Sequence, residues 1–247
     1  MPGVNLLYVY QLSEPEKKFL VCDLNNGRTF EDPLKLFNLP EYDMHNINEQ
    51  GLFAIGGNLN VNSLIKSYKW GIFPWFPYKE TEEADWYCPR KRFVIFPGKI
   101  HVSHSLKSLL NKNKYFITIN QEFREVIHNC RMVNGRDNHE QAWLGNTIEK
   151  LFIELHELGY AKSVEVWEGE ELVGGFYGFW YNGVFQGESM FSLQPSASQL
   201  GLILLCNHGS IEAKNMKFID TQFETPTFKR LGGEYISYQT YREIIDS

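Results

Sequence analysis

With 247 residues, 43% hydrophobic and 15% aromatic, the chain can hold a main domain with a smaller companion and is too apolar for a disordered protein. A formal net charge of -6 excludes attraction to nucleic acid by bulk charge alone. No apolar run reaches the roughly 18 residues that cross a bilayer, and Met1 to Leu20 lacks a signal peptide's basic start and apolar middle, so a cytoplasmic protein with no membrane partner is expected.

The first 84 residues read as a small unit. Strand-like runs at Leu6 to Tyr10 and Phe19 to Asp23 precede a Pro/Asp/Asn-rich connection, and Gly51 to Leu59 leads to a predicted helix from Asn62 to Trp70. Gly71-Ile72-Phe73-Pro74-Trp75-Phe76 follows, and the acidic stretch Tyr78 to Asp85 reads as a linker. From Trp86 to Asn120 there is no Asp or Glu, while Arg90, Lys91, Arg92, Lys99, Lys107, Lys112 and Lys114 place seven positive charges. One basic face on an acidic body suits phosphate binding without general stickiness to RNA, and a solvated lysine-rich surface reads the same way.

Periodicity is clearer further on. Asn146 with Glu149 reads as a capping box for a helix carrying Ile148, Leu151, Phe152 and Leu155, ended by Gly159. Ser163 to Trp167, Leu172 to Trp180 and Val184 to Phe191 read as three antiparallel strands, the last two joined by Asn182-Gly183, a pair suited to positive φ. Ser196 with Gln199 reads as a second capping box, opening a buried helix that runs to about Lys214, and Phe218 to Phe223 returns as a strand. This order of elements defines an α+β fold similar to that of the GNAT acyltransferases: an antiparallel-rich mixed sheet flanked by helices in residues 85–247, behind a small α/β domain in residues 1–84.

Strict alternation would place Val184, Gln186, Glu188 and Met190 on one strand face, with Asp220 and Gln222 sharing a face of the next strand. Carboxylates and amides in mid-strand are costly to bury unpaired, so together they suggest a cleft lined by two central strands. An outward, solvated face is the plainer alternative for each residue taken singly. The segment Ser192 to Ser196 supplies no glycine-rich pyrophosphate loop for CoA, and no P-loop, HExxH, GxSxG or dinucleotide fingerprint occurs. Cys22, Cys88, Cys130 and Cys206 form no CxxC pair and are expected to be reduced and structural. His101 and His104 lack a third ligand, so no metal is expected.

Gly51 to Leu59, Gly71 to Phe76, His156 to Trp167, Gly187-Glu188-Ser189-Met190-Phe191-Ser192 and Ile219-Asp220-Thr221-Gln222, in that order, closely resemble the leucyl/phenylalanyl-tRNA–protein transferases. The resemblance runs from about Gly51 to Gly232. It implies a GNAT-like C-terminal domain that moves Leu, Phe or less readily Met from aminoacyl-tRNA to a protein's N-terminal Arg or Lys. The product is a destabilising N-terminus for protein degradation. No cofactor is implied, and a monomer is expected.

By the same resemblance Asp220 and Gln222 are catalytic and Glu188 binds the acceptor. Phe176, Phe185, Met190, Leu202, Leu205 and Ile219 form the aminoacyl pocket, and Trp143 and Phe152 hold the terminal adenosine. Arg90, Lys91, Arg92, Lys107, Lys112 and Lys114 are expected on the tRNA backbone. The chain departs from the family pattern at Phe152, usually tyrosine, Phe176, commonly methionine, and Gln199, usually lysine. Two other readings remain: an acyltransferase of this fold with a different donor, and a non-catalytic module that binds charged tRNA or protein N-termini. The missing phosphate loop counts against a CoA donor, and retention of Asp220 and Gln222 against the module.

Overall fold

Two sheets carry the chain. The computed structural model describes residues 21–23, 29–30, 51–55, 59–75, 85–133 and 145–247. The expected strand at Leu6 to Tyr10, most of the acidic linker and Trp143 lie outside them.

The smaller sheet contains β1 (Val21–Asp23), β2 (Thr29–Phe30), β3 (Leu52–Ile55), β4 (Phe73–Trp75) and β5 (Asp85–Tyr87), ordered β2-β1-β3-β5-β4 with antiparallel pairs. Between β3 and β4 lies α1 (Val61–Lys69), one residue earlier than the periodicity predicts. Its start is fixed by a reciprocal cap: Ser63 N–H donates to Asn60 Oδ1, and Asn60 N–H donates to Ser63 Oγ, both at 3.0 Å.

The larger sheet contains β6 (Lys91–Ile95), β7 (Tyr115–Ile119), β8 (Ala161–Glu168), β9 (Glu171–Tyr181), β10 (Val184–Ser192), β11 (Phe218–Asp220) and β12 (Glu234–Ser237). Their order is β12-β6-β11-β10-β9-β8-β7, antiparallel throughout except for the parallel pair β10–β11. The helices are α2 (His104–Leu110), α3 (Phe123–Met132), α4 (Asn146–Glu157), α5 (Ala197–Cys206), α6 (Ile211–Lys214), α7 (Pro226–Arg230) and α8 (Tyr238–Asp246).

Both faces of the sheet are covered. Val126 and Ile127 of α3 and Phe152 and Leu155 of α4 pack with Tyr177 and Phe179 of β9 on one side, and Leu64 and Tyr68 of α1 join that cluster. On the other side Leu106 of α2 and Leu200, Leu202 and Ile203 of α5 pack with Val166, Phe176, Phe185 and Ile219. A strand buried on both faces reads as a continuous apolar run, as Val173 to Phe179 of β9 does. The small sheet is tied in through Phe73, Trp86 and Cys88, which belong to the same cluster as α3 and α4.

The three-strand meander stands where periodicity places it, and Asn182 (φ 48°) and Gly183 (φ 77°) make its turn. Cys88, Cys130 and Cys206 are free thiols.

Three local expectations fail. Gly145, not Asn146, caps α4, because Arg131 of α3 holds both the Asn146 amide oxygen and Glu149. Ser196 adopts φ 65° and caps nothing; Ser192, at the end of β10, accepts from the Ser198 N–H at 3.0 Å instead. The long helix expected up to Lys214 stops at Cys206 and resumes as the short α6.

Candidate active site

The site forms where two parallel neighbours part. Pairing between β10 and β11 ends at Gln186 opposite Asp220, after which β10 continues to Ser192 while the chain turns away from the sheet. A crevice at the carboxyl ends of parallel strands is the usual place for a ligand in such sheets.

Glu188 is the extra residue of a β-bulge. Gly187 pairs with Gly178 and Ser189 with Tyr177, so the alternation of β10 flips between them. Before the bulge Phe185 faces the α5 side and Gln186 the α1 side; after it Met190 faces α5 and Phe191 faces α3. The single face expected for Gln186, Glu188 and Met190 is therefore split. The flip keeps β10 in step with β9 while turning Glu188 out into the crevice.

A second turn does the same for Gln222. The strand expected to Phe223 ends at Asp220, and Gln222 takes φ 63°, held by its own N–H donating to Asp220 Oδ1 at 2.8 Å. Asp220 and Gln222 thus do not share a face. Asp220 is fully buried beneath the turn and Gln222 lies in the crevice.

Two cavities meet there. One, of about 180 Å³, is lined by Phe176, Phe185, Met190, Leu202, Ile219 and Phe228, with Gly187, Glu188, Ser189, Thr221 and Gln222 at its polar side. The other, of about 150 Å³, is lined by Phe73, Pro74, Trp75 and Phe223, again with Glu188 and Gln222. These two residues are the shared wall. Gln222 Nε2 donates to Glu188 Oε1 at 3.1 Å, which leaves the amide oxygen as the group offered to a ligand.

Burial pushes the Glu188 carboxyl up to about 8, and neighbouring Asp220 adds to the rise, against hydrogen bonding from Tyr68 and Gln222 that pulls the other way. The buried Tyr68 hydroxyl beside it is pushed up in turn, by burial first and by Glu188 second.

Beneath the wall, Arg92 Nε lies 2.9 and 3.1 Å from the two Asp220 oxygens, and the Arg92 guanidinium also donates to Gly71 O at 2.5 Å. The Phe73 and Tyr241 rings flank it, each with its centroid 4.9 Å from the guanidinium carbon. Burial works against the Arg92 charge, but Asp220 together with Tyr241 and Cys88 outweighs it and holds the guanidinium above its usual range. One ion pair thereby anchors both the turn carrying Gln222 and the segment carrying Phe73 and Trp75.

The structure gathers Phe176, Phe185, Met190, Leu202, Ile219, Glu188 and Gln222 around the two cavities. Leu205 is buried in the same cluster without lining either. Phe152 is fully buried, edge-on to Tyr68 and Tyr177, and lines neither cavity. Arg92, a residue only 1% exposed, is paired with Asp220 and does not stand on the surface with the other basic residues of its run. Lys114 pairs with Glu168 at 2.6 Å, whereas Lys91, Lys107 and Lys112 are exposed. Among the described residues no group of three or more His, Cys, Asp or Glu side chains stands ready for a metal, and no helix is long and apolar enough to cross a membrane.

Sequence reasoning missed Phe73, Trp75 and Phe223 as cavity walls, although the Gly71 to Phe76 motif was a visible signal for the first two. Phe228 had none, because α7 has only five residues and no periodicity to read.

An apolar cavity thus joins an aromatic one through a carboxyl and an amide, on an α+β frame with a mixed sheet. Two family models match the chain: one described as leucyl/phenylalanyl-tRNA protein transferase matches residues 94–246, and one for that protein's N-terminal domain matches residues 57–90. Among similar proteins, the leucyl/phenylalanyl-tRNA–protein transferase of Syntrophus aciditrophicus is 39% identical over 197 residues, 80% of each chain. The proteins of the same name from Flavobacterium psychrophilum and Pseudomonas fluorescens are each 40% identical, covering 79% of this chain and 92% and 84% of theirs. The chain belongs to the leucyl/phenylalanyl-tRNA–protein transferase family, and its chemistry is aminoacyl transfer.

Proposed function

We propose that the chain transfers Leu or Phe, and less readily Met, from aminoacyl-tRNA to the N-terminal Arg or Lys of proteins in the cytoplasm, marking them for degradation. It works as a monomer and uses no cofactor. One observation carries the reading: Glu188 and Gln222 form the common wall of an apolar cavity and an aromatic one. An aminoacyl-adenosine has its side chain and its nucleoside on opposite sides of one ester. With the side chain among Phe176, Phe185, Met190, Leu202 and Ile219, the ester falls at the wall and the adenine against Trp75, whose ring is 42% exposed. Trp143 remains a candidate second face for the base.

The ester is already activated, so aminolysis needs positioning and removal of a proton. A protein's α-amine has a pKa of about 8, so a useful fraction is neutral near pH 7. The Gln222 amide oxygen accepts a hydrogen bond from the attacking amine, because its Nε2 is engaged by Glu188. Asp220 acts one step back: it fixes the Gln222 backbone and neutralises Arg92, and is a positioning residue. Arg90, Lys91, Lys107 and Lys112 meet the tRNA backbone. The division into residues 1–84 and 85–247 is part of the same proposal, with β5 (Asp85–Tyr87) crossing that boundary to pair in the small sheet.

The test is transfer of radiolabelled Phe, Leu and Met from their tRNAs to peptides beginning with Arg, Lys or Ala. Transfer to Arg and Lys peptides alone is expected, with Gln222→Ala lowering kcat at unchanged Phe-tRNA affinity. Binding of charged tRNA without transfer would leave the non-catalytic reading standing.

A further inference from the structure

We infer that Glu188 binds the α-ammonium of the donor's aminoacyl group, so that the site takes a free aminoacyl-tRNA and refuses one whose amine is blocked or missing. The inference rests on the assignment of the two cavities to side chain and nucleoside. Given that assignment, the donor's Cα stands at the shared wall, and its remaining substituent is the nitrogen. The groups facing it are Glu188 and Gln222.

Glu188 lacks a cation. Among the described residues it forms no ion pair, and the groups that hydrogen-bond to it, the Gln222 amide and the Tyr68 hydroxyl, are neutral. The nearby guanidinium of Arg92 donates to Asp220 and to Gly71 O and forms no ion pair with Glu188. A carboxyl surrounded by Phe73, Trp75 and Phe223 on one side and Met190 and Phe228 on the other is costly to keep charged unless a ligand supplies the partner. A carboxyl raised to about 8 takes a proton from solution when the site is empty, and an arriving α-ammonium supplies the positive partner that lets it ionise and form a charge-assisted bond.

The acceptor's basic side chain fits Glu188 less well. Glu188 lies 3.1 Å from the amide nitrogen of Gln222, whose oxygen holds the attacking amine. The charge of an Arg or Lys side chain is a full side-chain length from that amine. A carboxyl that touches the junction is therefore placed for an atom on the reacting carbon's neighbour, not for a distant guanidinium.

The test compares Phe-tRNA, N-acetyl-Phe-tRNA and phenyllactyl-tRNA, in which a hydroxyl of nearly the same size replaces the amine, with an Arg-initiated peptide as acceptor. Wild type should use Phe-tRNA at least about tenfold better in kcat/KM than either analogue, the scale of one charge-assisted hydrogen bond. Glu188→Gln should raise KM for Phe-tRNA, shrink the preference over phenyllactyl-tRNA to within about threefold, and leave the peptide KM in place. Equal use of the three donors by wild type, full discrimination retained in Glu188→Gln, or a rise confined to the peptide KM would each overturn the inference.

Equilibrium binding of the stable amide between phenylalanine and 3′-aminoadenosine, against its N-acetyl form, gives a second readout that needs no turnover. If the amide binds, is weakened by both Phe176→Ala and Trp75→Ala, and the N-acetyl form binds equally well, only the role of Glu188 falls. If neither variant weakens it, the cavity assignment falls with it.

Discussion

Replacing Asp220 separates support from chemistry. Its side chain is fully buried, that of Arg92 is 2% exposed, and the two are 2.9 Å apart, so Asp220→Ala leaves an uncompensated guanidinium inside the protein. Removing one partner of such a pair costs about 3–5 kcal/mol. At roughly 2–4 °C per kcal/mol for a chain of this size, the melting temperature should drop by about 6–20 °C. The same change removes the acceptor that holds the Gln222 N–H at φ 63°, so kcat should fall as well.

Asp220→Asn keeps an acceptor oxygen but not the charge, and should melt nearly as low while retaining more activity than Asp220→Ala. Asp220→Leu combined with Arg92→Met removes both charges and should recover most of the stability, but not the turnover, because Gln222 is still unheld. Circular-dichroism melting and single-turnover transfer from Phe-tRNA read the two effects. If Asp220→Asn melted within about 1 °C of wild type, or the double variant turned over normally, the reasoning that Asp220 works through Arg92 and Gln222 would be wrong.

Three further outcomes are expected. Phe228→Ala should open the apolar cavity, lowering kcat/KM for Leu-tRNA by about tenfold and admitting bulkier aromatic donors such as Trp-tRNA; an unchanged donor profile would show that Phe228 does not bound the pocket. Glu188 has a folded pKa near 8, above an ordinary carboxylate, so its contribution to stability is complete below about pH 4.5 and is lost as pH rises towards 8. Melting of Glu188→Gln should accordingly gain on wild type between pH 5 and 8, and parallel curves would refute the raised pKa. Lys107→Ala with Lys112→Ala should weaken tRNA binding and reduce the log–log salt slope by roughly 1 to 2, whatever amino acid the tRNA carries; an unaltered slope makes them a solvated face.

Local chemistry was legible in the sequence. Asn182-Gly183 fixed a hairpin because few other residues tolerate positive φ at both positions. Ile148, Phe152 and Leu155 announced a helix face, and Leu172 to Trp180 a strand of the meander. The ordered motifs around Glu188 and Asp220 pointed to the family and to most of the side-chain pocket.

Tertiary structure decided which way the polar residues point. Alternation along β10 holds only while β10 and β9 advance together, and the bulge that turns Glu188 outward depends on the partner strand. Gln222 leaves the strand because Asp220 captures its N–H, and Asp220 is free to do so only because Arg92, 128 residues earlier, neutralises it. The same pairing takes Arg92 out of a run of basic residues that reads as surface. Sequence spacing carries the periods of helix and strand, but pairing across the sheet and the need to satisfy a buried charge are set by residues far apart in the chain.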